Sequence, residues 1–236
     1  MNANSNTIHF LIELRIKLIY SLILLFILFA VLVYFSNELY TLLALPLLKF
    51  LPQGHLIATQ IVSPFFVPFK LAFWVAVLLA MPFFLYQLWT FIAPALYGYE
   101  RRLIWPLLLI STSLFYAGIA FAYLVVFPVL FRFLSHTAPP GVVLSPDIAE
   151  YLEFTIRLLL AFGVLFEIPI VMVLLVVTNI VSRTRFILMR RYAIVCAFIV
   201  GMLLAPPDII SQTLMAVPIC LLYEIGIVLT RFAIVK

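Results

Sequence analysis

The stretch Leu18-Ile19-Tyr20-Ser21-Leu22-Ile23-Leu24-Leu25-Phe26-Ile27-Leu28-Phe29-Ala30-Val31-Leu32-Val33-Tyr34-Phe35 contains no Asp, Glu, Lys, Arg or His. A helix of that length rises about 27 Å at 1.5 Å per residue, close to the roughly 30 Å of a bilayer's hydrocarbon core. Arg15 and Lys17 precede it, as basic residues precede a signal peptide. Val33-Tyr34-Phe35-Ser36-Asn37 offers no small-residue cleavage site, so the run reads as a retained span.

The rest of the chain has the same character. Of 236 residues, 67% are hydrophobic and 10% charged, and the mean hydropathy is +1.29. A soluble domain carries about 25% charged residues, so this chain lacks the polar surface to face water on all sides. Soluble enzyme, nucleic-acid-binding domain and disordered protein are excluded as classes. Long apolar runs point to an all-α polytopic membrane protein, because a membrane β-barrel shows short alternating segments.

A single integral membrane domain is expected over residues 1–236, with six spans at about 18–36, 68–93, 103–133, 150–178, 192–205 and 209–230. The last two are short, and the fifth reaches only about 21 Å. Residues 8–17 read as a short helix on the membrane surface, and 37–67, with Pro46, Pro52, Gly54 and Pro64, as a loop. Pro82 is expected to bend the second span. Ser145-Pro146-Asp147 reads as a helix start with Ser145 as N-cap, and that helix is expected to reach about Val177. Pro206-Pro207-Asp208 separates the fifth and sixth spans. No repeat relates the two halves, which weighs against an inverted-repeat transporter.

Alternating the spans places Arg15, Lys17, Arg101, Arg102, Arg183, Arg185, Arg190, Arg191, Arg231 and Lys236 on one face, ten of the 14 basic residues. By the positive-inside rule that face, with both termini, is cytoplasmic. Glu38, Asp147, Glu150, Glu153 and Asp208 fall on the other side.

Two acids, Glu13 and Glu100, stand alone on the basic face. Each has arginines nearby, so local pairing is one reading. A receptor for a cationic ligand is the other, since a carboxylate grips a guanidinium through two parallel hydrogen bonds. Glu167 lies inside the fourth span, where a carboxylate costs at least about 2.5–3.5 kcal/mol on insertion scales. It either glues helices together or serves a function, and Pro169 kinks the same helix. Glu224, near the cytoplasmic end of the last span, reads as a snorkelling side chain. Gln212 bonds either a partner helix or a neighbour within this chain. Cys196 and Cys220 read as small buried hydrophobes, with a disulfide left open. The three histidines are scattered, and no HExxH, GxSG, GxGD or P-loop pattern occurs. No catalytic residue, metal or cofactor is therefore expected.

Several segments together resemble the TatC family, the receptor of the twin-arginine protein translocase. They are Leu11-Ile12-Glu13-Leu14-Arg15, Ser63-Pro64-Phe65-Phe66, and Tyr86-Gln87-Leu88-Trp89-Thr90-Phe91-Ile92-Ala93-Pro94-Ala95-Leu96-Tyr97 with Glu100-Arg101-Arg102. Ala161-Phe162-Gly163, Phe166-Glu167-Ile168-Pro169, and Pro206-Pro207-Asp208 with Ser211-Gln212 follow in the family's order. The resemblance implies six helices in a concave, glove-like arrangement in the bacterial inner membrane. It implies a receptor for twin-arginine signal peptides and a core subunit exporting folded proteins on the proton-motive force. Glu13 and Glu100 would receive the two arginines, with Phe91 and Arg15 in the same site. Met202 and Gln212 would contact the single-span partners TatA and TatB, within a self-associating complex embedded in membrane lipid. Glu167 would be the buried acid of the concave face, Asp208 a structural polar position, and Pro46 and Tyr123 outer-side positions tied to structure and assembly. The chain departs from the family's pattern at Phe10, where His is frequent, and at Ala205, where a relative has Thr. The rival readings are a proton-coupled small-solute transporter with Glu167 as relay, and a purely structural scaffold.

Overall fold

A computed structural model describes residues 3–48, 57–92, 104–137, 147–204 and 208–233. Helices make up nearly all of it: α1 (Ala3–Tyr34), α2 (Ser36–Leu48), α3 (Ser63–Ile92), α4 (Ile104–Phe121), α5 (Phe127–Thr137), α6 (Ile148–Leu165), α7 (Ile168–Val177), α8 (Arg183–Leu188), α9 (Arg190–Leu204) and α10 (Ile209–Ala233). Among the described residues five stretches are long and apolar enough to cross a membrane: Arg15–Tyr34, Ser63–Thr90, Trp105–Phe133, Ile148–Val177 and Ile209–Phe232. The last, at 24 residues, is shorter than the three before it. The fifth of the six expected spans is α9, with only 15 residues.

Several local expectations change. Residues 8–17 are not a separate surface helix but the first half of α1. With no Pro or Gly between Ala3 and Tyr34, nothing interrupts the hydrogen-bond ladder. The expected loop 37–67 begins with α2, in which Thr41 Oγ1 donates to the Asn37 carbonyl at 2.9 Å, and α3 starts at Ser63. Pro68 and Pro82 lie inside α3, which stays helical throughout. Cys196 is exposed and Cys220 half-buried, and both thiols are free.

The helix expected from Pro146 to about Val177 starts at Ile148 and is two helices. Pro169 has no amide to offer the Leu165 carbonyl, so the ladder breaks there. The Glu167 amide turns to Val164 O at 3.0 Å, and α7 starts with Glu167 as its N-cap. Asn179, in the left-handed region at φ 58°, ends α7. Its amide and that of Val181 donate to the Val176 and Leu175 carbonyls, each at 3.0 Å. Between α4 and α5, Ala122–Val126 form a π-helical turn that closes with the Phe127 amide on Ala122 O. The extra residue in that turn rotates the faces on either side of it relative to one another.

The chain divides into two compact units, residues 1–44 with 60–112, and 45–59 with 113–236. In the first, α3 packs mainly on α1. Phe29 meets Phe73 edge to face at 5.9 Å. Ala72, Ala76 and Ala80 form a stripe at most 1% exposed along α3, the small-residue spacing that lets membrane helices approach. Trp89 Nε1 donates to Ser111 Oγ at 3.2 Å, tying α3 to α4 in the buried interior.

The second unit has two packed regions. Phe127, Phe131, Tyr151 and Phe154 cluster with ring centroids 5.5–6.5 Å apart. Deeper in, α4 and α6 cross at two glycines. A Cβ on Gly118 would lie 2.5 Å from the Phe162 carbonyl oxygen, and one on Gly163 2.6 Å from the Phe115 ring. The second region is the α9–α10 pair, whose buried contact is Ala197 against Ala216 and Ile219, with Val200, Leu165 and Cys220 around it.

Candidate functional site

The residues expected to receive a cationic ligand belong to the first unit. Glu13 and Arg15 are on α1, Phe91 is in the last turn of α3, and Glu100 lies in the connection to α4, outside the described residues. The side chains of Glu13 and Phe91 also fall outside the described set. Since α1 is one helix through positions 13 to 17, position 15 falls on the far side of the helix from position 13. Helical register therefore argues against a local Glu13–Arg15 pair and places position 17 on the face of position 13. Arg15 is exposed, whereas Lys17 Nζ is shielded from solvent. The Trp89–Ser111 bond anchors α3 two residues before Phe91. In consecutive spans the start of α1 and the end of α3 reach the same membrane face.

The expected partner face lies on the α9–α10 pair. Met202 is 61% exposed. The Gln212 side-chain amide donates to Phe198 O at 3.0 Å, so of its two readings the bond within the chain is the one present. A Cβ on Gly201 would lie 2.9 Å from the Gln212 carbonyl, and this close contact brings the two helices within reach of that bond.

The remaining expected positions have definite local roles. Asp208 precedes α10 and accepts the Ser211 amide on Oδ2 at 2.7 Å, while its backbone carbonyl takes the Gln212 amide. Glu167 stands at the joint of α6 and α7, with Oε1 shielded from solvent. Tyr123 is in the π turn, its ring 6.2 Å from Phe127. Pro46 is in the last turn of α2, with its side chain outside the described set.

Several polar contacts were not expected. Asp147, not Ser145, caps α6, accepting the Ala149 and Glu150 amides on Oδ1 at 2.7 and 3.3 Å. Its other oxygen accepts the Thr59 amide and hydroxyl, and the Ile148 amide donates to Ile57 O at 2.9 Å. These bonds, led by the Thr59 hydroxyl, pull the Asp147 carboxyl down to about 2. Asp at the cap with Glu150 three residues on is a capping-box pattern visible in the sequence. At the other membrane face, Glu224 pairs with Arg190 at 2.8 Å instead of merely snorkelling. Beside it the Tyr223 hydroxyl donates to Phe186 O at 2.8 Å. Neither of these two partners had a sequence signal, because they lie 34 and 37 residues apart. Among the described residues no group of three His, Cys, Asp or Glu side chains gathers to hold a metal.

Residues 9–218 match the TatC family, described as Sec-independent protein translocase protein. The chain is 53% identical over 227 residues to the protein of that name from Escherichia coli K12, covering 96% of this chain and 88% of the relative.

The chain belongs to the TatC family.

The TatC protein of Haemophilus influenzae is 51% identical over 94% of this chain and 87% of its own length. A crystal structure of the twin-arginine translocase receptor TatC superposes with a TM-score of 0.85 at 39% identity, covering 95% of this chain and 99% of that one. A second, of the same receptor in the detergent DDM, gives a TM-score of 0.86 at 38% identity. This chain is thus a multi-pass inner-membrane protein with the TatC fold, a translocase component and not an enzyme. The small-solute transporter reading, with Glu167 as relay, finds no support among these relatives.

Proposed function

We propose that this TatC-family chain is the receptor that captures twin-arginine signal peptides at the cytoplasmic face and forms the core on which folded proteins are exported. The observation that carries the reading is the 53% identity to a translocase protein extending over 96% of the chain; Glu13 and Glu100, the two isolated acids of the basic face, are the residues assigned to recognition. Each carboxylate offers two oxygens to a guanidinium fork, and a lysine ammonium cannot match that planar geometry. The low dielectric beside the membrane strengthens such pairs. Phe91 flanks the site and Arg15 belongs to the same motif as Glu13.

TatB and TatA, each crossing the membrane once, assemble on α9 and α10 near Met202 and Gln212. The short α9 leaves the local bilayer thinner than a full span needs. The proton-motive force drives passage, and copies of this chain associate in the receptor complex. Glu167, Asp208, Pro46 and Tyr123 support the fold around these surfaces.

A photo-crosslinking assay tests the docking site. Glu13→Ala and Glu100→Ala are each expected to lose most capture of an Arg-Arg precursor, with a Lys-Lys precursor already poor on the wild type. Normal capture by both variants overturns the assignment. Export of a folded twin-arginine reporter in a strain lacking this gene separates the receptor from a scaffold, which tolerates both substitutions, and from a transporter, which moves solute alone in liposomes.

A further inference from the structure

From residue 168 to residue 207 the chain carries four arginines, Arg183, Arg185, Arg190 and Arg191, and no Asp or Glu. All four lie in the corner where α7 ends, α8 turns and α9 begins. Among the described residues only Arg190 has a carboxylate partner, Glu224 of α10 at 2.8 Å. Arg183, Arg185 and Arg191 form no ion pair among the described residues, and Arg183 Nε is shielded from solvent with no hydrogen-bond acceptor there. Arg191 lies over the Tyr192 ring at 4.9 Å and donates to its hydroxyl at 3.2 Å.

The corner is held rather than loose. Tyr223 bonds the Phe186 carbonyl and meets its ring edge-on at 6.4 Å, which pins α8 to α10. The Arg190–Glu224 pair pins the start of α9 to the same helix. Between the arginines, Leu188 is 69% and Met189 49% exposed. Both lie in the connection between the apolar stretch that ends at Val177 and α9.

We infer that this corner is a headgroup site for an anionic phospholipid. Arg183, Arg185 and Arg191 together supply the positive charge that meets its headgroup, and Leu188 and Met189 rest against its acyl chains. Charge complementarity selects the occupant, since unpaired guanidiniums call for an anion and their forked donors match phosphate oxygens. The exposed apolar side chains between them select a lipid over a soluble anion, which has nothing to place there. This surface is distinct from the proposed signal-peptide site, whose ligand is cationic and is repelled by these arginines.

Native mass spectrometry of the full chain in mild detergent, titrated with phosphatidylglycerol and with phosphatidylethanolamine, tests the site. The wild type is expected to retain phosphatidylglycerol preferentially. At about 1 kcal/mol per basic residue near a lipid surface, R183Q/R185Q/R191Q weakens that binding roughly 100-fold. K70Q/R132Q/R157Q removes the same number of charges elsewhere and leaves binding intact. R183K/R185K/R191K keeps the charges that set topology and is expected to bind roughly tenfold more weakly, because the forks are lost. Undiminished binding in either arginine variant overturns the site, as does equal loss in the K70Q/R132Q/R157Q control. Displacement by millimolar inorganic phosphate assigns the corner to a free anion instead, and tighter binding of polyglutamate assigns it to an acidic protein.

Discussion

Thr59 and Asp147, 88 residues apart, meet at one carboxylate oxygen, which accepts the Thr59 amide at 2.8 Å and its hydroxyl at 2.6 Å. The same carboxylate's other oxygen caps α6, so one side chain fastens the segment before α3 to the helix that opens the fourth span. Replacing it removes a helix cap, worth about 1 kcal/mol, and charge-assisted bonds worth about 1.5–3 kcal/mol. Asp147→Ala is expected to destabilise the protein by about 2–3 kcal/mol and Thr59→Val by less, since Val keeps the amide. Thermal unfolding of the detergent-solubilised variants measures both.

The same carboxyl makes stability depend on acid. Its folded value, about 2, lies below the unfolded one, so its contribution is complete above about pH 4 and drains away as pH falls toward 2. The melting temperature of the wild type should therefore converge on that of Asp147→Ala between pH 5 and pH 2.5. A gap that stays constant over that range removes Asp147 as the titrating group.

Gly163 is where Phe115 enters α6, and Phe115 is 1% exposed with no room to swing aside. Gly163→Ala should cost about 1–3 kcal/mol by overpacking. Phe115→Leu in the same chain should recover part of the loss, because a smaller side chain vacates the space. Gly118→Ala has no such rescue, since the added carbon meets the Phe162 backbone carbonyl. Double-mutant melting curves distinguish the two cases.

Gln212 spends its amide on Phe198, inside the chain. Hydrogen bonds between membrane helices average about 0.6 kcal/mol, so Gln212→Leu is expected to loosen the α9–α10 pair by about that much. Met202 is exposed, so Met202→Ala should leave stability almost unchanged while weakening crosslinks to the proposed single-span partner. A large loss of stability from Met202→Ala would place that side chain inside the protein instead.

Arg190 and Glu224 are about half exposed. Such pairs contribute about 0–1 kcal/mol and are screened by salt. Glu224→Gln is expected to lower stability by less than 1 kcal/mol at low salt and by nothing measurable in 1 M NaCl.

How much was legible depended on the distance over which each signal acts. The apolar runs, the uneven distribution of basic residues and the isolated acids are matters of composition and spacing, legible directly in the sequence. The break at Glu167 was half legible, because Pro169 announced a kink while the division into α6 and α7 came from the lost Leu165 bond. The continuation of α1 back to Ala3 was missed because charged residues inside an apolar helix look like a boundary. At the candidate site the motif positions were read from sequence, and α1 added one point, that positions 13 and 15 face apart. Arg190–Glu224 and Thr59–Asp147 could not be read, because a pair of opposite charges or a stray hydroxyl carries no mark of its partner.

By itself the sequence determined the solvent this protein lives in and its helical, multi-pass class, and it marked two isolated carboxylates, Glu13 and Glu100. Those follow from the cost of putting polar groups in hydrocarbon, which every residue feels independently of its neighbours. Tertiary structure decided which polar groups spend their bonds inside the chain, as Gln212 and Asp147 do, and which form no ion pair among the described residues, as Arg183, Arg185 and Arg191 do. Hydrogen bonds and ion pairs act over a few ångströms, so only the folded arrangement selects their partners.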